Sequence, residues 1–328
     1  MSLLNQLDEH IDIDAIPYKG GLISVVSPRK RINTQGFLTE SKSILGAVVR
    51  QQGALLLRRF KLNGAKDFLT AVETLSGNKL CNYENKSTPR SQVIDRIFTS
   101  TEYPSDAFIP LHNENSYTHT FPRYLYFFCL KKSISGGETP LANSALIHQA
   151  LDEKVKDEFL GKGVRYVRNY GEIDLPWQEV FGTDKQQEVS EYCEKHSIDY
   201  KWNNNQLRTE ECCPASILHP DTKEDIWFNQ AHLFHYSNLG EGAQDLINVY
   251  GLNNIPRNAL FAGGEAIPKD MLDHIRDTLN ANEILFDWQP GDLLILDNLK
   301  MAHGRKPFEG QRKVLVAMSE ELTHRELN

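Results

Sequence analysis

Between residues 124 and 318 the chain returns repeatedly to short β-rich runs, at 124–130, 163–170, 216–219, 225–229, 292–297 and 313–318, most of them bounded by Gly, Pro or Asn. Helical stretches fall among these runs without strict alternation: 145–160 follows Asn143-Ser144, and 269–279 follows Pro268. A doubly wound parallel sheet needs strand and helix in turn. The pattern therefore predicts a mainly β fold with inserted helices, its antiparallel sheet closed or sandwiched into a jelly roll. No G-x-G-x-x-G follows a strand and no G-x-x-x-x-G-K-[ST] occurs, so the usual dinucleotide and nucleotide loops are missing.

The first part of the chain is of mixed character. Residues 54–60 read as a strand, and Asn63 is placed to cap a helix that carries Phe68, Leu69, Val72 and Leu75 and stops at Gly77. No Pro-rich, Gly/Ser-rich or single-sign charged stretch interrupts the sequence, and no period repeats. The expectation is one domain over 1–328, with a mixed α/β part at 1–82, a jelly-roll core with helical insertions at 83–319 and a tail at 320–328.

Composition excludes several classes. Hydrophobic residues at 40% and charged residues at 24% are far from disordered, collagen-like or membrane sequences. The net charge of −8 repels a phosphate backbone, so nucleic acid is not an expected partner. Cys81, Cys129, Cys193, Cys212 and Cys213 form no C-x-x-C pair, and their odd number suits a reducing compartment. The N-terminus has acids where a signal peptide is basic, and no apolar run approaches the ~20 residues of a membrane span. A cytoplasmic enzyme with no membrane association is the expectation.

The most informative stretch is Ile109-Pro-Leu-His-Asn-Glu-Asn-Ser-Tyr117, in which His112 and Glu114 stand two apart. If the segment is extended, residues i and i+2 share a face, so an imidazole and a carboxylate can grip one ion. The candidate third ligand is His303, just beyond the run at 292–297. Two histidines and one carboxylate on one face of an octahedral ion leave three positions open, the arrangement of non-haem Fe(II) oxygenases. Open positions let a cosubstrate chelate the metal beside O₂. A dicarboxylate bound through one end needs a cation for the other, and Arg312 follows His303 by nine residues. A planar guanidinium holds a carboxylate by two parallel hydrogen bonds, and the hydroxyl of Thr139 in Gly136-Gly-Glu-Thr-Pro140 can add another.

With these residues in place, the sequence resembles the Fe(II)/2-oxoglutarate-dependent dioxygenases of the taurine dioxygenase superfamily, and more closely their clavaminate synthase-like and syringomycin-biosynthesis hydroxylase-like branch. The landmarks are Leu111-His-Asn-Glu-Asn-Ser-Tyr117, Gly136-Gly-Glu-Thr-Pro140, Trp227-Phe-Asn-Gln230, Trp288-Gln-Pro-Gly-Asp292 and Asp297-Asn298 through His303-Gly-Arg305 to Gly310-Gln-Arg312. They run in the family's order from about Thr88-Pro-Arg90 to Ser319. The resemblance implies iron ligands at His112, Glu114 and His303, 2-oxoglutarate contacts at Thr139 and Arg312, and a double-stranded β-helix core, a distorted jelly roll. Fe(II) is the implied cofactor, with 2-oxoglutarate and O₂ as cosubstrates.

Two departures stand out. The spacing from His303 to Arg312 is short for the family, which keeps Lys313 and Arg305 open as the anchoring cation. The position where taurine dioxygenase carries its sulfonate-binding arginine holds Val316. Retention of Glu114 points to hydroxylation rather than halogenation; desaturation or cyclisation would need the same ligands. The branch implies an amino acid or amino-acid-derived small molecule as substrate, free or presented on a carrier protein, in specialised metabolism. A cosubstrate-free cupin-like metalloenzyme and a non-enzymatic jelly-roll binding module are the rival readings.

Arg90, Asn115, Ser116 and Tyr117 are the candidate substrate-pocket residues, with Arg90 equally suited to a salt bridge. Asn298 is expected to tie down the loop that carries His303. His219, His232 and His235 compete as ligands, but surface or capping roles suit His232 and His235 better because neither has an acid at strand or helix spacing. Cys212-Cys213 reads as a buried apolar pair, and Trp177, Trp202, Trp227 and Trp288 read as core. The oligomeric state is open.

Overall fold

The computed structural model describes residues 3–327 apart from 8, 83–89, 102, 172 and 241. Thr88 and Pro89 of the family landmarks lie outside the described residues. Six strands carry the site: β1 (Ile109–His112), β2 (Thr120–Lys131), β3 (Leu141–Asn143), β4 (Leu293–Asp297), β5 (Met301–Arg305) and β6 (Lys313–Thr323).

The largest sheet has eight strands. Its order is Ile11–Tyr18, Gly21–Pro28, Ala54–Leu57, β4, β2, β6, Ile97–Thr99 and Gln92–Ile94. Every pairing in it is antiparallel except that of Gly21–Pro28 with Ala54–Leu57. The run Leu293-Leu-Ile-Leu296 is apolar without a break because both faces of β4 are covered. Leu293 and Ile295 join Phe128, Leu315 and Ala317 beneath the helices Thr34–Gln52 and Ala65–Ser76. On the opposite face, Leu294 and Leu296 pack with Phe127, Val316, Leu141 and Met301. Leu141 and Met301 belong to a three-stranded sheet, β1, β5 and β3 with β5 in the middle, which therefore lies against the large one. A separate four-stranded sheet, Asp199–Asn203, Gln206–Cys213, Val164–Tyr170 and Arg257–Phe261, is built from the middle of the chain.

Several local expectations are corrected. The helix expected at 145–160 is two, Ser144–Ala150 and Glu153–Lys162, because Leu151 turns extended (ψ 144°) between them. Asn143 caps the first, its side chain accepting from the amides of Ala145 and Leu146. Asn63 is not a cap: the helix starts after Gly64, while the amide and side chain of Asn63 donate to Asp67 Oδ2 at 2.8 and 3.0 Å. Strand alternation separates the paired cysteines, leaving Cys212 exposed and Cys213 buried. His232 is buried rather than superficial, its Nε2 2.9 Å from the Leu111 carbonyl, whereas His235 does cap the turn Tyr236–Leu239. Trp202 is only partly buried; the other three tryptophans are core residues.

Candidate metal centre

β1 and β5 run antiparallel with His112 directly opposite His303, and the ring centroids are 4.5 Å apart. The register slips just after His303, and a side chain on Gly304 would put its Cβ 2.6 Å from the Ile109 carbonyl oxygen. Only glycine allows the two histidine strands to approach so closely. β1 ends at His112, so the expected extended H-x-E is corrected: Glu114 lies in a turn in which Asn115 takes φ +56°.

Asn298, in the turn between β4 and β5, holds that turn. Its Oδ1 accepts from the Glu114 amide at 2.7 Å, its Nδ2 donates to the Glu114 and Pro122 carbonyls at 3.0 and 2.8 Å, and its own carbonyl accepts from Asn113 Nδ2 at 2.7 Å. Asn298 thus ties the loop that leads to His303 to the start of β2 and, through the same side chain, secures the Glu114 turn as well.

The ligand atoms of His112, Glu114 and His303 all lie within 4.8 Å of one another, and among the described residues no other three such side chains meet this way. His303 Nε2 is 3.6 Å from Glu114 Oε2. His112 Nδ1 lies 2.8 Å from the Pro110 carbonyl, a contact that uses an N–H on Nδ1 and leaves Nε2 with its lone pair. Burial, reinforced by the neighbouring His303, pushes His112 down to about 3, so the ring is in its neutral, ligating form. Burial works against a charge on Glu114, but the Arg90 guanidinium outweighs it and holds the carboxyl below the usual carboxylate range. Arg90 Nη2 donates to Glu114 Oε2 at 2.7 Å, with both side chains almost fully buried. His303 Nδ1 is buried and has no hydrogen-bond partner among the described residues. Two imidazoles and one ionised carboxylate, their ligand atoms gathered at one point, form a donor set that fits a divalent first-row metal.

The cavity is lined by His112, His303, Arg90, Thr139, Arg312 and Phe127, among others. Arg312, just before β6, donates through Nε to the Gly137 carbonyl at 2.8 Å, through Nη2 to Thr139 Oγ1 at 3.3 Å and through Nη1 to Ser100 Oγ at 3.4 Å. No acid lies within ion-pair distance of it among the described residues. Burial, with Arg305 nearby, lowers its pKa to about 10. A buried guanidinium beside a metal-binding cluster is a receptor for an anion. Gly136 makes the approach possible: it has φ +64°, and a Cβ there would lie 2.2 Å from the Pro307 carbonyl oxygen in the hairpin that leads to Arg312.

The other two cations do not compete. Arg305 donates to the backbone carbonyls of Tyr103, Pro104 and Ala107, and Lys313 is exposed.

The substrate-pocket candidates separate. Arg90 lines the cavity but pairs with Glu114. Asn115 lines a different cavity, with His119, Glu211 and Tyr192. Ser116 is fully buried and donates to the Asn113 carbonyl at 3.0 Å, and Tyr117 packs on Tyr166 and Phe234. Neither of these two faces the metal cavity, which corrects their placement in it. His219 is likewise not a ligand of this cluster, since its Nε2 sits 3.1 Å from Asp297 Oδ2. Sequence reasoning missed Ser100 and the role of Trp288, whose Nε1 donates to Thr139 Oγ1 at 3.0 Å. The Trp288-Gln-Pro-Gly-Asp292 landmark was the available signal for Trp288; nothing marked Ser100.

Comparison with known proteins agrees with this geometry. Residues 26–318 match the model of the family described as taurine catabolism dioxygenase TauD, TfdA family. The dapdiamide synthesis protein DdaC of Enterobacter agglomerans is 41% identical over 274 residues, 83% of each chain. A clavaminate synthase-like protein of Arabidopsis thaliana is 29% identical over 299 residues, covering 87% of this chain and 86% of that one. Among solved structures, PvcB of Pseudomonas aeruginosa superposes with a TM-score of 0.56 at 14% identity, covering 94% of this chain and 91% of that one, a likeness of fold.

Proposed function

The chain belongs to the taurine catabolism dioxygenase TauD, TfdA family and is a 2-oxoglutarate-dependent dioxygenase that uses Fe(II); from that premise we propose that it hydroxylates an unactivated C–H bond of an amino acid or amino-acid-derived small molecule in specialised metabolism. The substrate class is supported by the 41% identity to a protein of dapdiamide synthesis, and free and carrier-bound substrates both fit that relation. Family membership sets aside the binding-module and cosubstrate-free readings. Desaturation and cyclisation would draw on the same side chains, and product analysis separates them from hydroxylation.

In this reading His112, Glu114 and His303 hold the iron, and Thr139 and Arg312 hold the far carboxylate of 2-oxoglutarate. The observation that carries it is the largely buried Arg312 guanidinium, without an acid partner among the described residues, which lines the same cavity as His112 and His303. Fe(II) with 2-oxoglutarate and O₂ would supply oxidative decarboxylation to succinate and CO₂, one oxygen atom entering succinate and the other serving oxidation of the substrate. The protein's part is geometric. The Pro110 carbonyl fixes the His112 tautomer, Asn298 fixes the Glu114 turn, and Phe127 and Ile109 wall the cavity with apolar surface.

The two packed sheets are read as the double-stranded β-helix of clavaminate synthase-like enzymes, and 1–328 as one oxygenase domain. A cytoplasmic setting is supported by five cysteines that are all free. No helix among the described residues is long and apolar enough to cross a membrane.

The test is succinate formation with Fe(II), ascorbate and 2-oxoglutarate across amino acids and their carrier-bound forms, together with calorimetric titration of 2-oxoglutarate into metal-loaded protein. Substrate-dependent succinate and a hydroxylated product are expected. Background succinate across the panel, with no 2-oxoglutarate binding, would overturn the proposal.

A further inference from the structure

Trp288 and Thr139 are both buried, and the indole Nε1 donates to Thr139 Oγ1 at 3.0 Å. Arg312 Nη2 lies 3.3 Å from the same oxygen. A hydroxyl offers two lone pairs and one O–H, whereas an indole N–H and a guanidinium are donors only. Both acceptor sites of Thr139 are therefore taken, and its remaining capacity is one O–H. No described hydrogen bond uses that proton, and Thr139 lines the metal cavity beside Arg312. Only an acceptor can sit there.

We propose that Trp288 is a positioning residue: it fixes Thr139 as an obligate hydrogen-bond donor, so that the Arg312–Thr139 cradle selects a carboxylate against the isosteric amide. This rests on the reading that Arg312 and Thr139 hold the far carboxylate of 2-oxoglutarate. A carboxylate only accepts and satisfies every donor of the cradle. An amide of the same shape turns its NH₂ toward one of them and leaves both unpaired. Without the indole N–H, a lone pair on Thr139 is released, the hydroxyl can turn, and the amide NH₂ gains an acceptor.

The experiment measures dissociation constants of N-oxalylglycine and of its distal amide, N-oxalylglycinamide, with the Mn(II)-loaded protein. Trp288→Phe is expected to lower the preference for the carboxylate about tenfold, the size of one charge-assisted hydrogen bond. Thr139→Val lowers it as well, and the double variant loses no more than Thr139→Val alone. A merely structural role for Trp288 would weaken both ligands equally and leave their ratio intact. A ratio within twofold of wild type in Trp288→Phe, or additive losses in the double variant, overturns the proposal. Should Trp288→Phe fail to fold, the decision passes to Thr139. Thr139→Ser must keep the ratio within twofold while Thr139→Val loses it, and equal ratios in the two overturn the donor assignment. Arg312→Ala separates the levels: unchanged N-oxalylglycine affinity in that variant would sink the cradle reading itself, whatever Trp288 does.

Discussion

Arg312 and Arg90 show how similar cations acquire different work from their surroundings. Arg312 has hydroxyl and carbonyl partners but no acid within ion-pair distance among the described residues, so Arg312→Ala should weaken 2-oxoglutarate binding about 10- to 100-fold while leaving Mn(II) affinity unchanged. Parallel calorimetric titrations of cosubstrate and metal check this, and a loss of metal affinity of the same size would show the residue to be structural. Arg90 has its charge answered by Glu114 at 2.7 Å, with both side chains almost fully buried. Removing one partner of a buried pair leaves the other uncompensated, at a cost of about 3 kcal/mol. A divalent ion restores the missing positive charge. The melting temperature of Arg90→Met should therefore rise more on addition of Mn(II) than that of wild type, and equal rises would refute this account of the pair.

Elements place these side chains through a few close backbone approaches. The β4–β5 turn does so through Asn298, whose amide serves both the Glu114 turn and the Pro122 carbonyl at the start of β2. In Asn298→Ala three hydrogen bonds disappear from a fully buried position, and metal affinity should drop about tenfold although no ligand is touched. Calorimetry with Mn(II) reads this directly, and an unchanged affinity would mean that the turn holds its shape without the amide. Gly136 has the corresponding role for the cradle. Gly136→Ala sets a Cβ against the Pro307 carbonyl at a positive φ, so the hairpin bearing Arg312 must move. The KM for 2-oxoglutarate should rise more than metal affinity falls, and equal effects on both would indicate general unfolding.

At the scale of the whole molecule, histidine burial makes the fold sensitive to acid. Burial is the leading cause that lowers His232, His235 and His324 to about 4 each, from an ordinary value of 6.5. Because the folded values lie below the unfolded ones, the unfolded chain binds protons first as pH falls. The stability these rings contribute is complete above pH 6.5 and is lost progressively between 6.5 and 4, by up to about 1.4 kcal/mol per pH unit for each ring. Urea midpoints should therefore decrease from pH 7 to 4.5, and a flat profile over that interval would contradict the burial of these histidines. The large sheet resists the same trend through its apolar faces, because Leu293–Leu296 packs on helices on one side and on the ligand-bearing sheet on the other.

The sequence by itself determined the β-rich class, the H-x-E pair, and the candidate histidine and arginine that complete it. Each of these is a matter of residue type and short-range spacing, and strand periodicity, turn chemistry and metal-donor chemistry act over a few residues. Tertiary structure decided which groups meet. It paired Arg90 with Glu114, sent Tyr117 into a cluster with Tyr166 and Phe234, gave Asn298 to the Glu114 turn and set the Trp288 indole on Thr139. Trp288 and Thr139 are 149 residues apart, and Asn298 and Glu114 are 184 apart. Separations of that size carry no local signal, because the partner is chosen by how sheets pack and by which buried polar atoms would otherwise be left without a hydrogen bond.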